Sequence, residues 1–296
     1  MVNIMAKVTV ISTKDRIYGV NKSFELLGIN SIKNKHVIIK PNFNTADPPP
    51  ASSSMETVKQ IILNLKEAGA KSITIAERSG PADTHETFKK KGLYSLGEEL
   101  DVKIVDLTAL SKDDFVQKNP EGNHWKNGFL FPKIYDTAEC IIETCCLKTH
   151  MYGGHFTLSL KNAVALVPKK FMGELHSSKY QREMITEINS VFAPDLIIMD
   201  GILCFVDGGP MDGTLKESNV FVAGIDRIAV DAVGVAILRI LGTTLEVSNG
   251  PIFQQPQIKR AVELGIGISS PRDIEFLTDS GASERLVSQI KEKLSL

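Results

Sequence analysis

The sequence predicts an α/β fold, a mostly parallel sheet with helices on both faces and a small insertion or subdomain. Two observations carry this. Short β-rich runs alternate with stretches whose apolar residues recur at helical spacing, and several of the runs are uniformly apolar, as in strands covered on both sides. A chain of 296 residues is also long enough to bury a sizeable core, here taken as a single α/β domain over residues 1–296.

In chain order, Val8-Thr9-Val10-Ile11 is mostly β-branched and reads as a strand over 8–11. A short helix is expected over 24–27, then a strand over 36–40. Residues 55–68 carry Val58, Ile61, Ile62, Leu65 and Ala68 on one helical stripe, with Ser52-Ser53-Ser54 as a cap before it and Gly69 behind it. Strands follow over 72–76 and 102–105. The stretch 106–132 is polar and weakly patterned, with Asn119-Pro120-Glu121-Gly122-Asn123, and is the expected insertion. Beyond it come a buried strand over 140–144, helices over 157–167 and 179–192, strands over 196–200 and 220–223, helices over 228–241 and 256–264, and a last strand over 274–277.

The densest chemistry lies in Leu147-Lys-Thr-His-Met-Tyr-Gly-Gly-His-Phe-Thr-Leu-Ser-Leu-Lys-Asn162. It holds two lysines, two histidines, a glycine pair and three aliphatic hydroxyl side chains (Thr149, Thr157, Ser159), with no carboxylate. Such a composition suits an anion or a metal. Lys148 and Thr149 follow the apolar Cys140-Ile141-Ile142, which puts them at the carboxyl end of a strand, where α/β proteins hold ligands. Gly153 and Gly154 let the backbone approach a ligand or form an anion-binding nest. Lys161 and Asn162 are expected near the middle of the following helix.

Three further strand ends carry polar residues. Lys40-Pro41-Asn42 closes one, with Lys40 aimed into the cleft above the sheet; Glu77 and Ser79 close another; Asp200-Gly201 closes a third and leads to Asp207. Carboxylates facing lysines and histidines can bind a cation or do acid–base work. The expected substrate-binding set is therefore Lys40, Asn42, Glu77, Ser79, Lys148, Thr149, Gly153, Gly154 and Asn162. His150, Asp200 and Asp207 are the expected metal ligands of these strand ends.

Lysine plus arginine total 34 against 35 aspartates and glutamates, a net charge of -1, and no basic cluster resembles a recognition helix, which argues against nucleic acid. Neither a signal peptide nor an apolar stretch of membrane-spanning length is apparent, so a cytoplasmic protein without a membrane partner is expected. The four cysteines, at 140, 145, 146 and 204, contain no Cys-x-x-Cys step and read as structural thiols.

Lys40-Pro41-Asn42, Leu147-Lys148-Thr149-His150, Leu160-Lys161-Asn162, His176, Asp200-Gly201, Gly208-Gly209-Pro210, Ala223-Gly224-Ile225-Asp226 and Val230-Asp231-Ala232 together resemble the uncharacterised family known as domain of unknown function 362. The resemblance spans residues 36–240. It implies association with a ferredoxin-like iron–sulfur module, whose cysteines this chain lacks, so a cluster of its own is not expected. A more local likeness joins His150, Gly153-Gly154, Lys161 and His176 to the nickel-pincer lactate racemases. What that likeness implies is convergence of His150, Lys161 and His176 on one cleft, with Lys161 as a site of cofactor attachment and His176 as the fourth member of the metal set.

The expected function is thus an enzyme acting on a small anionic substrate, a carboxylate or phosphate, by acid–base chemistry, racemase-like or assisted by a divalent metal. His150, Lys161 and His176 are the catalytic residues of this reading. The competing expectation is a redox accessory protein that docks a ferredoxin-like partner or holds a metal cofactor without turnover.

Overall fold

The computed structural model describes residues 5–29 and 32–295. Its elements run β1 (Ala6–Ser12), α1 (Arg16–Leu27), β2 (His36–Lys40), α2 (Met55–Glu67), β3 (Ser72–Glu77), α3 (Thr84–Lys90), α4 (Leu93–Glu99), β4 (Lys103–Asp106), β5 (Phe115–Lys118) and β6 (Phe129–Pro132). Then come α5 (Lys133–Asp136), β7 (Cys140–His150), β8 (His155–Thr157), α6 (Ser159–Asn162), α7 (Met172–Ser177), α8 (Gln181–Glu187), β9 (Leu196–Gly208) and β10 (Gly213–Gly224). The chain closes with α9 (Arg227–Leu241), α10 (Leu245–Ser248), α11 (Pro256–Glu263), β11 (Ile274–Leu277) and α12 (Gly281–Leu294).

The main sheet has the order β11-β1-β10-β9-β7-β2-β3-β4, with β8 folded back on β7. Pairing is parallel from β9 through β7, β2 and β3 to β4 and between β1 and β11; β10 is antiparallel to both neighbours. The fold is therefore α/β with a mostly parallel sheet, as the alternation of strand and helix signals predicts.

Strand periodicity sorts the core into two layers. Val37, Ile39, Cys140, Ile142, Leu196 and Ile198 pack with α1, α2 and the pair α3–α4. Ile38, Ala76 and Ile141 face the other way, onto α7, α8 and the β5–β6 hairpin. Further along that second face, Cys145, Leu147, Ile197 and Met199 meet α9, α11 and α12. Each fully buried aliphatic side chain contributes roughly 1.5–3 kcal/mol, and Ile39→Ala at the sheet centre would cost about 2–5 kcal/mol.

Helix boundaries follow local capping. The Asp15 carboxylate accepts the amide of Tyr18 and Gly28 ends α1 at φ 59°, so the helix expected over 24–27 begins two turns earlier. Ser54 caps α2 as predicted, accepting the Glu56 amide. The helix expected over 157–167 is shorter: residues 155–157 pair with β7, and a 3-10 turn takes over after α6. Likewise the helix expected over 179–192 is α8 followed by a 3-10 turn.

Two strands outrun their predicted ends. β7 is buried along its whole length to His150, so Lys148 and Thr149 lie within the strand rather than after it. β9 continues past Asp200 to Gly208 and makes a long hairpin with β10. Residues 106–132, weakly patterned in sequence, hold the β5–β6 hairpin, and its Trp125, Phe129 and Phe131 enter the same apolar cluster as Ile38 and Ile141 of the main sheet. No helix among the described residues is long and apolar enough to cross a membrane.

Candidate functional site

At the carboxyl ends of β2, β3 and β7 a cleft of about 880 Å³ opens, floored by the strand ends and walled by the 151–185 segment. Its polar side carries Asn42, Arg78, Lys148, His150, Lys161 and His176; Val164, Met172, Leu175, Ile185 and Met211 supply an apolar wall.

The floor is a buried polar network. Lys40 ends β2 with its ammonium 2.7 Å from Glu77 Oε2 at the end of β3, and it also donates to the Pro41 carbonyl at 2.7 Å and to Asn162 Oδ1 at 3.2 Å. Asn42 donates to the same Asn162 oxygen at 3.0 Å. Asn162 in turn donates to Glu143 Oε1 at 3.1 Å, while Ser159 donates to Glu143 Oε2 at 3.0 Å. Burial pushes the Glu143 carboxyl up to about 7, against the opposing pull of Lys40 and Arg227. Lys40 thus sits just beneath the cleft and orients two residues that line it, Glu77 and Asn162.

Lys148 is clamped by Asn42 Oδ1 at 3.1 Å and by the carbonyls of Ala51 at 2.6 Å and Pro210 at 3.1 Å. All three of its donors are spent on protein, which leaves only its charge to bear on the cleft. Burial lowers its pKa to about 8.

Lys161 is placed by an unusual helix start. Asp231 of α9 accepts the amides of Ser159 at 2.8 Å and Leu160 at 3.1 Å, satisfying the orphan donors of α6 from outside the segment. Lys161 then reaches the cleft with no hydrogen bond or ion pair to its Nζ among the described residues. Burial, followed by the neighbouring charges of Lys148 and Arg78, lowers its pKa to about 7.

The turn between β7 and β8 supplies the rest. Gly153 has φ 81°, a backbone that side-chain-bearing residues rarely adopt, and its carbonyl accepts from Arg182 at 3.0 Å. A Cβ on Gly154 would lie 2.8 Å from Lys161 Cε and 3.0 Å from His150 Nδ1, so lysine and imidazole both crowd the same glycine. His150 is 6% exposed, and its Nδ1 has no partner. Burial, then Lys161, Lys148 and His176, holds its pKa well below the usual histidine range. His176 follows the same direction, chiefly through burial, and its Nδ1 lies 3.1 Å from Gln181 Nε2.

The structure therefore brings together His150, Lys161, His176, Asn42, Glu77, Lys148, Gly153 and Asn162 as lining residues, with Lys40 and Gly154 directly behind them. Four expected residues lie elsewhere. Asp200 shares the strand parity of Leu196 and Ile198 and points to the layer of α1 and α2, where Arg16 Nε at 2.7 Å and Thr57 Oγ1 at 2.9 Å hold it. Asp207 is exposed on the β9–β10 hairpin and accepts the Gly208 amide. Thr149 donates to the Phe205 carbonyl at 3.2 Å, and Ser79, fully buried, stands outside the lining. The four-residue metal set thus does not assemble, and no group of three or more His, Cys, Asp or Glu among the described residues is arranged to hold a metal ion. For the same reason these side chains do not fit a resident metal cofactor as a set.

Residues beyond the expected set also line the cleft. Arg78, next to Glu77, spends its guanidinium on the carbonyls of Ser79, Val164 and Ala165. Asn44 Nδ2 and Thr157 Oγ1 are buried without a hydrogen-bond partner. Thr157 belongs to the hydroxyl-rich central motif and Asn44 to the loop after Asn42, so both carried a sequence signal. Gln181, 20 residues after Lys161, carried none.

The family described as Domain of unknown function (DUF362) matches residues 37–236, which takes in every lining residue of the cleft. The chain is also similar to the thylakoid-associated protein sll1697 of Synechocystis sp., 27% identical over 251 residues, covering 80% of this chain and 73% of that protein.

Proposed function

Starting from the premise that this chain belongs to the DUF362 family, whose description assigns no chemistry, we propose that it is an enzyme acting by acid–base chemistry on a small anion, a carboxylate or phosphate ester with an apolar portion. One observation carries the reading. His150 Nδ1, Asn44 Nδ2 and Thr157 Oγ1 are buried without a hydrogen-bond partner on residues that line one cleft, the partly exposed Lys161 beside them makes no hydrogen bond among the described residues, and Glu77, the sole carboxylate among the lining residues, is tied to Lys40. Buried polar groups without partners are few in folded proteins, and a cluster of them in a cleft calls for a ligand.

The roles follow from the surroundings. Lys148 and Arg78 supply fixed positive charge that favours an anion and stabilises negative charge developing on it. Lys161 supplies the free donor. His150, kept neutral at pH 7, is the proton acceptor of this reading, and His176 stands behind it. The apolar wall of Val164, Met172, Leu175 and Ile185 receives the rest of the molecule. The same reading has the protein working in the cytoplasm on dissolved substrate.

Titration calorimetry with hexanoate and with inorganic phosphate tests it. Binding should weaken about 10–100-fold in Lys161→Met, the loss of one charge-assisted hydrogen bond of roughly 1.5–3 kcal/mol. A panel of hydroxy and oxo acids in deuterated water should show carbon-bound exchange that His150→Gln removes. A wild-type protein that binds no anion sinks the proposal.

A further inference from the structure

We propose that Lys161 is a Schiff-base-forming amine, and that the substrate class of the cleft is an oxo acid whose carbonyl carbon becomes joined to Lys161 Nζ. This inference rests on the anion reading above and deepens it by naming the reacting group.

The geometry sets Lys161 apart from every other cation at the site. Lys40 is held by Glu77, Lys148 by three oxygens, Lys169 by the Ala82 carbonyl at 2.7 Å, and Arg78 by three carbonyls. Lys161 alone among them has no protein partner for its nitrogen, yet its backbone is fixed at the α6 start that Asp231 caps. Gly154 packs so closely on its Cε that a Cβ there would lie 2.8 Å away, so the lysine chain keeps its course into the cleft only because this residue has no side chain. The charges of Lys148 and Arg78 penalise its ammonium form. A desolvated lysine beside another cation is the environment that makes an amine nucleophilic near neutral pH.

The step balances without an oxidant or reductant. The Nζ lone pair of neutral Lys161 forms a C–N bond as the carbonyl π pair moves to oxygen, and one amine proton passes to that oxygen. The nitrogen lone pair of the resulting carbinolamine then expels hydroxide, which leaves as water with a proton from solvent or from a neighbouring acid. The product is a protonated imine, and one water is released. His150 Nδ1, unpartnered and against the same glycine, is the group placed to carry these protons. The iminium acidifies the adjacent C–H bond, which gives the acid–base chemistry of the cleft a substrate it can deprotonate.

Wild-type protein incubated with 2-oxohexanoate at pH 7 and reduced with sodium borohydride should carry a stable secondary amine, located by peptide mass mapping. At that pH a lysine titrating near 7 holds on the order of a thousandfold more neutral amine than an ordinary lysine, so the adduct should sit at Lys161 before any exposed lysine such as Lys89. Lys161→Arg should lose it, and Lys89→Arg, at an exposed position outside the cleft, should keep it. Label spread evenly over surface lysines, or retained in Lys161→Arg, overturns the inference. If hexanoate binds but 2-oxohexanoate leaves no adduct on Lys161, the Schiff base fails and the anion reading stands. If neither binds, both fall together.

Discussion

Lys40 and Glu77 form an ion pair of 2.7 Å in which both side chains are 1% exposed, with Glu77 in the lining of the cleft and Lys40 just beneath it. Removing one member leaves a buried charge unpaired, at a cost of about 3–5 kcal/mol. Lys40→Met should therefore lower the urea midpoint markedly. Lys40→Met combined with Glu77→Gln should be less destabilised than the two single variants summed. Additive losses would mean that the two groups do not depend on each other.

Gly154 and Gly153 should respond differently to alanine. At Gly154 the added carbon meets the far part of the Lys161 side chain and the imidazole of His150, which can give way, so Gly154→Ala should fold with about 1 kcal/mol lost or less and bind hexanoate more weakly. Gly153→Ala places a side chain at φ 81° and 2.3 Å from Gln181 Oε1, and should cost more stability than Gly154→Ala. Chemical denaturation and calorimetry on the two variants give the comparison, and equal stability losses would contradict it.

Anion affinity should fall as pH rises from 6 to 9, because Lys161 loses its proton near 7 and Lys148 near 8. Near neutral pH the bound anion favours the ammonium forms, so binding should take up protons, visible as a dependence of calorimetric enthalpy on buffer ionisation heat. Stability runs the other way. Both lysines have folded-state pKa values below their unfolded ones, so between about 7 and the ordinary lysine range near 10.4 the unfolded chain binds more protons. Their contribution is unfavourable below the folded values and is relieved as pH climbs through that window. Lys161→Met should flatten this part of the stability profile; an unchanged slope would remove Lys161 as its source.

The four cysteines are free and buried, and burial raises the thiols of Cys140 to about 12 and Cys204 to about 11, with Cys145 well above its usual range. Native protein should be nearly silent to a thiol reagent at pH 8, with all four reacting after denaturation. A fast native phase that disappears in Cys145→Ser or Cys146→Ser would contradict the placement.

Much of the site could be read from the chain because its polar residues interrupt apolar strands. Lys148 and His150 stand out for that reason, as does Lys40 at the end of Val37-Ile38-Ile39, while Lys161 stands out by closing the polar motif that begins at Leu147. Asp200 looks equally exceptional in sequence, but Arg16 and Thr57, distant in the chain, claim its carboxylate. What no local pattern could supply is the cap on α6, since Asp231 lies 72 residues from Ser159 and only the packing of α9 brings them together. The helix expected over 157–167 was too long for the same reason, because its start and its extent depend on a distant carboxylate and on β8 pairing with β7.

β7 occupies the middle of the sheet, buried from Cys140 to His150, and ends in two of the residues that line the cleft. Core strands of this kind open to solvent only when the whole molecule unfolds. Amide deuterium uptake across Leu147–His150 should then be among the slowest in the chain and should change little when an anion binds. The scaffold under Lys148 and His150 would be assembled before any ligand arrives, so the ordering entropy of recognition would fall on the 151–154 turn and on the ligand itself.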